Sequence, residues 1–194
     1  YSLCSGVVGT SDEYAGRPFL RNKRNVPSET VYVGNELKVF DEGAERFMPE
    51  LKKGEDEFWV TYAGTIGTSY DIKTMVLSAD YLKRRGYDNI FIKILGGGPL
   101  KDELENLAYT LKGNVEFVGY APYEKMAAYL KKSDVLVNSF VKKAPQSIVT
   151  KIGDYLAAGK PMINTCSSLE FREKVETDKF GINIEAENVE ILAD

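Results

Sequence analysis

From about residue 58 onward, the pattern of apolar and polar positions switches regularly between two periodicities. Short apolar runs predict strands, and segments with apolar residues three or four positions apart predict helices. The predicted strands are 58–63, 90–95, 115–118, 135–138, 162–165 and 182–184. The predicted helices are 71–85, 99–111, 122–132, 147–158 and 169–175. This order predicts an α/β fold, a Rossmann-like parallel sheet with helices on both faces.

The first part of the chain has a different pattern. Two apolar runs, 6–10 and 30–33, predict short strands, and the polar stretch 11–24 is irregular or a frayed helix. Residues 34–56 are charged, which is typical of a linker. We therefore interpret the region before the alternating pattern as the tail of a preceding domain and a connection.

The two ends of the chain favour a fragment. The chain begins at Tyr1 without a methionine, and residues 188–194 predict the first turns of a helix that stops abruptly. We expect residues 1–53 to be the domain tail and linker. We expect 54–194 to be a second domain, truncated at its C-terminus.

Composition excludes several kinds of function. Of 194 residues, 25 are Lys or Arg and 29 are Asp or Glu, so the net charge of −4 argues against broad nucleic-acid binding. Histidine is absent, which removes the commonest general base and metal ligand. Cys4 and Cys166 are far apart and match no zinc or disulfide framework, as expected in a reducing compartment. No stretch has the length of a membrane span, so we expect a cytoplasmic protein.

Ligands of open parallel sheets bind beyond the carboxyl ends of the strands, near the point where strand order reverses. The loops at that edge are 64–70, 96–99, 119–123 and 139–146. Glycines at 64, 67 and 96–98 let backbone amides approach a phosphate, and a helix start adds partial positive charge. Tight turns without a ligand would have the same glycines, so this reading stays open.

The segment 142–161 carries the densest candidate chemistry. Ile148, Ile152 and Leu156 predict the buried stripe of a helix that begins near Ser147. Three lysines at 142, 143 and 151 concentrate positive charge where a diphosphate could bind. Asp154 lies off the stripe and suits the hydroxyl groups of a ribose better than a phosphate. A solvated amphipathic helix with a surface carboxylate is the alternative.

At this segment the sequence resembles the retaining glycosyltransferases of family 4, which have the two-domain GT-B architecture. Residues 151–161 (KIGDYLAAGKP) are similar to the second half of the family's motif of two Glu separated by seven residues. Asp154 matches the second Glu, which binds the ribose, and Gln146 matches the first, which contacts the donor sugar. Further similar segments follow in the family's order: 6–14, 31–35, 94–99, 115–120, 133–139 and 175–184.

The resemblance implies the site residues. Contacts to the donor sugar and phosphates would come from Gly64, Thr65, Gly97, Gln146, Ser147, Ile148 and Lys151. Contacts to the nucleoside would come from Val118, Tyr120 and Asp154. The resemblance implies no metal and no cofactor, because the nucleotide-sugar is a substrate. It puts the acceptor-side contacts in the missing domain, outside this chain, so the catalytic residues stay unassigned.

The sequence departs from the family at these positions. Gln146 and Asp154 replace both Glu residues, and Thr65 and approximately Asp71 stand where the family often has an Arg and a Lys for the diphosphate. Lys151, or the lysine pair before it, would then take over the phosphates. Some branches of the family that build surface polysaccharides lack the first Glu and keep a Lys near position 151, and this chain resembles them.

The resemblance therefore implies a donor-binding domain of a hexosyltransferase in polysaccharide or glycolipid synthesis. It implies a nucleotide-sugar and an acceptor domain as partners, excludes nucleic acid, and allows peripheral membrane contact for the full-length enzyme. We expect the fragment alone to be inactive. Two alternatives stay open: a non-catalytic nucleotide-binding module of the same fold, and half of a nucleotide-sugar 2-epimerase.

Overall fold

The computed structural model describes residues 3–21, 25–145 and 148–194. The strands are β1 (Val7–Gly9), β2 (Ser28–Thr30), β3 (Phe58–Ala63), β4 (Ile90–Leu95), β5 (Val115–Gly119), β6 (Val135–Asn138), β7 (Met162–Asn164) and β8 (Gly181–Asn183). The helices are α1 (Asp12–Arg21), α2 (Leu37–Phe47), α3 (Ile72–Arg84), α4 (Lys101–Leu111), α5 (Tyr123–Lys132), α6 (Lys151–Ala158), α7 (Leu169–Thr177) and α8 (Val189–Ala193), with a 3₁₀ turn at Met48–Glu50.

Six strands form one parallel sheet in the order β5-β4-β3-β6-β7-β8. The chain first builds outward from β3 to β5, and then returns to place β6 on the other side of β3. Strand order therefore reverses between β3 and β6, which is where a ligand-binding crevice is expected beyond the carboxyl ends of the strands. The predicted α/β fold is confirmed. β1 and β2 form a separate parallel pair.

The sheet has a hydrophobic core on each face, which is why its strands are apolar on both sides. Leu136 and Val137 are consecutive in β6, and the pleat turns them to opposite cores. One core includes Trp59, Phe140, Tyr155 and Phe171. The other includes Tyr62, Met75, Ile94 and Leu104.

The sequence indicated a linker for the charged stretch 34–56, but the structure shows that part of this stretch is a packed helix. The stretch contains α2, whose Phe40 and Ala44 are fully buried in the same core as Trp59. Gly43 lets α2 approach α5 closely, because a Cβ there would lie 2.6 Å from Cβ of Glu124. The charges occupy the outer face of an amphipathic helix, and only the packing against α5 distinguishes this from a solvated linker.

The helix predicted from Ser147 begins at Lys151, and its predicted buried stripe is wrong at one position. Ile152 is buried, but Leu156 is 49% exposed, and Tyr155 and Ala158 take the inner face instead. Tyr155 occupies this place because its hydroxyl accepts a hydrogen bond from the Ala63 amide at 2.8 Å. A backbone pairing of this kind leaves no trace in hydrophobic periodicity.

Two smaller differences concern the ends of elements. The second strand is Ser28–Thr30 rather than 30–33. Residues 12–21 form a helix with Pro18 inside it, which agrees with the helical reading of that stretch and not with the irregular one. Asp71, which aligns approximately with a family lysine, caps α3 instead. Its Oδ1 accepts from the Thr74 amide at 3.2 Å and its Oδ2 from the Glu187 amide at 2.9 Å.

Candidate functional site

A cleft of about 580 Å³ opens at the carboxyl ends of β3 and β4, beside the loop that follows β5. β3, one of the two strands at the reversal of strand order, ends in this cleft, which extends from there toward β4 and β5. The lining residues are Ala63, Gly64, Thr65, Leu95, Gly96, Gly97, Gly98, Tyr120, Ala121 and Met126. Four residues that the sequence had singled out, Gly64, Thr65, Gly97 and Tyr120, are therefore brought together.

The floor of the cleft consists of two loops in direct backbone contact. Gly96 has a φ of +125°, and a Cβ there would lie 1.9 Å from the carbonyl oxygen of Gly64. Gly98 has a φ of +153°, and a Cβ there would lie 2.3 Å from the carbonyl oxygen of Ile66. Only glycine permits this approach, so these two glycines are required by the fold whether or not a ligand binds.

Several backbone amides of these loops are unpaired. The amides of Gly64, Ile66 and Gly96 donate to backbone carbonyls at 2.8–3.0 Å. Within the described residues, the amides of Thr65, Gly97 and Gly98 donate to no acceptor. Unpaired amides at strand ends are suited to the oxygens of an anionic ligand.

Val118 and Tyr120 are two positions apart but have different environments. Val118 is in β5, and Tyr120 is the first residue after that strand. The Tyr120 side chain is 88% exposed at the edge of the cleft. Val118 lies within β5 and packs against the core that contains Trp59, so it is not among the residues that line the cleft. An exposed ring beside an apolar wall of Ala121 and Met126 can stack on a planar ligand.

Lys151 has an unusual environment at the first residue of α6. Its stem is partly exposed, but its Nζ is buried and has no hydrogen-bond partner among the described residues. Aromatic rings surround the ammonium, with Nζ 4.1 Å from the Tyr62 centroid, 4.8 Å from Tyr70 and 5.4 Å from Phe140. Desolvation lowers the pKa of Lys151 to about 7.

The aromatic cage of Lys151, formed by Tyr62, Tyr70 and Phe140, adjoins the floor of the cleft. The Tyr62 hydroxyl donates to the carbonyl oxygen of Thr65 at 2.8 Å and lies 2.9 Å from the position of a Cβ on Gly64. Lys151 therefore packs against the residue that supports the loop with the unpaired Thr65 amide.

Asp154 lies in the first turn of α6 and joins three parts of the chain. Its Oδ1 accepts from Asn35 Nδ2 at 2.6 Å and from the Tyr123 hydroxyl at 2.9 Å. Burial raises the pKa of Asp154, while the bonds from Tyr123 and Asn35 act to lower it. The carboxylate is thus anchored within the fold and is not a loose surface charge.

The remaining predicted residues have other surroundings. Ile148 packs against the core, and Gln146 and Ser147 lie outside the described residues. Lys142 forms an exposed ion pair with Glu185 at 2.8 Å. Sequence reasoning missed the partners Asn35 and Tyr123. Tyr123 is the last residue of loop 119–123, which the sequence places at the ligand-binding edge of the sheet. Its position could therefore have identified it as a candidate site residue.

Two kinds of feature are absent from the part of the chain that the structure describes. It contains no group of three or more carboxylate, thiol or imidazole side chains that could hold a metal ion. None of its helices combines the length and apolar character required to cross a bilayer.

Comparison with solved structures gives the same fold in several glycosyltransferases. WaaG, a glycosyltransferase involved in lipopolysaccharide biosynthesis, matches with a TM-score of 0.74 and 15% identity over 96% of this chain and 52% of its own. HepE of Anabaena, in complex with UDP and glucose, matches with a TM-score of 0.75 and 16% identity over 98% and 52%. The C-terminal domain of LpcC from Francisella tularensis gives 0.65 and 17% over 83% and 85%.

The chain thus spans about half the length of WaaG and HepE. At identities of 15–17%, the structural matches show the fold alone, which is that of GT-B glycosyltransferase domains. A search of curated proteins finds no match. The family described as glycosyl transferases group 1 matches residues 43–194, well over half of the sequence. The chain therefore belongs to the group 1 glycosyl transferases.

Proposed function

We propose that this domain binds the nucleotide-sugar donor of a retaining glycosyltransferase. The observation that carries the proposal is one cleft lined by unpaired amides and an exposed aromatic ring. A buried lysine lies behind it, packed against Tyr62, which supports the floor of the cleft. In the full-length enzyme, the acceptor would be held by a second domain across that cleft. We expect the 194-residue chain alone to bind the donor without transferring its sugar.

The diphosphate of the donor would lie on the floor of the cleft. The amides of Thr65, Gly97 and Gly98 supply three donors that have no acceptor among the described residues. Lys151 adds a cation that has no competing carboxylate among the described residues. Fixed amides and a cation in a partly desolvated site would stabilise the charge that develops on the leaving diphosphate during transfer.

The nucleoside would extend along the loop after β5. The exposed Tyr120 ring is suited to stacking on the base, and the Oδ2 of Asp154, which has no described partner, is suited to the ribose hydroxyls. HepE has been crystallised with UDP and with UDP-glucose, which makes uridine nucleotides the first to test here.

The finer parts of the proposal rest on the family resemblance. These are retention of configuration, transfer of a hexose, a role in surface polysaccharide or glycolipid synthesis, and catalysis without metal or other cofactor. A cytoplasmic location with peripheral membrane contact would suit such a role. Support comes from the fold, from the segment around Asp154, and from the role of WaaG in lipopolysaccharide biosynthesis.

The experiment is a binding screen followed by one substitution. Thermal shifts with UDP-, GDP-, ADP- and CDP-sugars identify the nucleotide, and calorimetry gives its affinity. Asp154→Asn should weaken binding about ten-fold or more, because charged hydrogen bonds contribute about 1.5–3 kcal/mol. Asp102→Asn, on exposed α4, is the matched control. Equal affinities of the Asp154→Asn variant and the wild type would remove Asp154 from the site.

A further inference from the structure

The two oxygens of the Asp154 carboxylate have different environments. Oδ1 accepts two hydrogen bonds, from Asn35 Nδ2 at 2.6 Å and from the Tyr123 hydroxyl at 2.9 Å. Oδ2 accepts none from the described residues, and it is not among their buried unpaired atoms. One oxygen is therefore fixed by the protein, and the other is accessible.

The two donors also contact each other. Asn35 Nδ2 donates to the Tyr123 hydroxyl oxygen at 2.9 Å, and the same hydroxyl donates a hydrogen bond to Oδ1 of Asp154. The three polar groups form a closed triangle in which each bond supports the orientation of the next. Such an arrangement restricts the carboxylate to one rotamer before any ligand arrives.

The triangle joins three separate segments beside the cleft. Tyr123 is the first residue of α5, whose Met126 lines the cleft one turn later. Asn35 lies in the segment that leads from β2 to α2. This segment packs tightly on α6, since a Cβ at Gly153 would lie 3.3 Å from the carbonyl oxygen of Gly34.

The hydrogen bonds also act on the pKa of the carboxylate. Burial raises the pKa of Asp154, and the bonds from Tyr123 and Asn35 oppose that rise. Without them, the pKa of Asp154 would lie higher, because desolvation would act unopposed. Both donors therefore favour an ionised acceptor.

Resting on the proposed donor site, we propose that Asn35 and Tyr123 are positioning residues for nucleotide recognition, which act by directing Oδ2 of Asp154 toward the ribose hydroxyls. Neither needs to touch the nucleotide. The connection before α2 thereby becomes part of the donor site, so a movement of that connection changes the affinity for the nucleotide.

The test compares two ligands that differ only at the ribose. Calorimetry with UDP and with 2′,3′-dideoxy-UDP is run on the wild type, Tyr123→Phe and Asn35→Ala. If the screen selects another base, its diphosphate and dideoxy analogue replace this pair. Tyr109→Phe is the matched control, because Tyr109 is exposed on α4 and its hydroxyl has no described partner. Circular dichroism melts verify that each variant is folded.

We expect Tyr123→Phe and Asn35→Ala each to weaken UDP binding about three- to ten-fold. Binding of the dideoxy analogue should be unchanged by either substitution, because it lacks the hydroxyls that Oδ2 would accept. A loss that is equal for both ligands, or no loss for UDP, would overturn the positioning role. If Asn35→Ala fails to fold, the comparison with Tyr123→Phe decides. A wild type that binds none of the nucleoside diphosphates would instead refute the proposed function.

Discussion

We expect Lys151 to lower the stability of the fold and to strengthen binding of the ligand diphosphate. Replacing it with methionine tests both effects. Its ammonium is buried and unpaired among the described residues, so its charge costs stability in the unliganded protein. Methionine has a similar length, is apolar, and makes favourable sulfur–aromatic contacts with rings such as Tyr62, Tyr70 and Phe140. We therefore expect Lys151→Met to stabilise the fold and to weaken binding of a nucleoside diphosphate.

The magnitude follows from the pKa of Lys151. Lowering it from 10.5 to about 7 corresponds to a cost of about 5 kcal/mol, at about 1.4 kcal/mol for each tenfold change in proton affinity. Cation–π attraction, about 0.5–2 kcal/mol for a desolvated ring, offsets part of that cost. The difference is the expected gain, so Lys151→Met should raise the free energy of unfolding by about 3–4 kcal/mol at pH 6.

The pH dependence has a definite sign. Below pH 7 the lysine is charged in both the native and the unfolded state, so the full cost applies. From pH 7 to 10.5 the native state has lost the proton that the unfolded state keeps, and wild-type stability rises with pH. The advantage of methionine should therefore shrink by about 1–3 kcal/mol between pH 6 and pH 9.

Urea unfolding followed by circular dichroism at pH 6 and pH 9 measures this. Lys160→Met is the control, because Lys160 lies just beyond the other end of α6 and forms no ion pair within the described residues. In parallel, calorimetry should show at least ten-fold weaker binding of the nucleoside diphosphate to Lys151→Met. Destabilisation at pH 6, or a gain that does not change with pH, would refute the argument from burial.

Two further predictions concern the cleft. Nucleotide binding should be unchanged by a chelator, because the described residues offer no carboxylate cluster to bridge a cation to phosphates; strict dependence on magnesium or manganese in calorimetry would contradict this. Gly96→Ala should lower the free energy of unfolding by about 3 kcal/mol or more, because its Cβ would collide with the Gly64 carbonyl oxygen. Gly97→Ala should lower it by about 1 kcal/mol or less, because a Cβ at Gly97 has open space around it. Similar urea midpoints for the two variants would contradict the contact between the loops.

Local sequence patterns determined the parallel sheet and the loops at its carboxyl edge. Alternating periods of two and of three to four residues reflect which side chains face the core, and strands that are apolar on both faces require helices on both. The glycines after β3 and β4 mark where backbone meets backbone. For this reason Gly64, Thr65, Gly97 and Tyr120, chosen from the sequence, lie around one cleft.

Tertiary structure alone decided what surrounds each polar group. The bond between Asn35 and Asp154 joins residues 119 positions apart, and the bond between Tyr123 and Asp154 spans 31. No local pattern encodes such a pair. The exposure of Leu156 was also decided there, because the inner face of α6 depends on a hydrogen bond between Tyr155 and the strand it covers. Periodicity shows only which residues are apolar. The neighbours that bury an apolar residue, or that surround a charged group such as the Lys151 ammonium, come from distant parts of the chain.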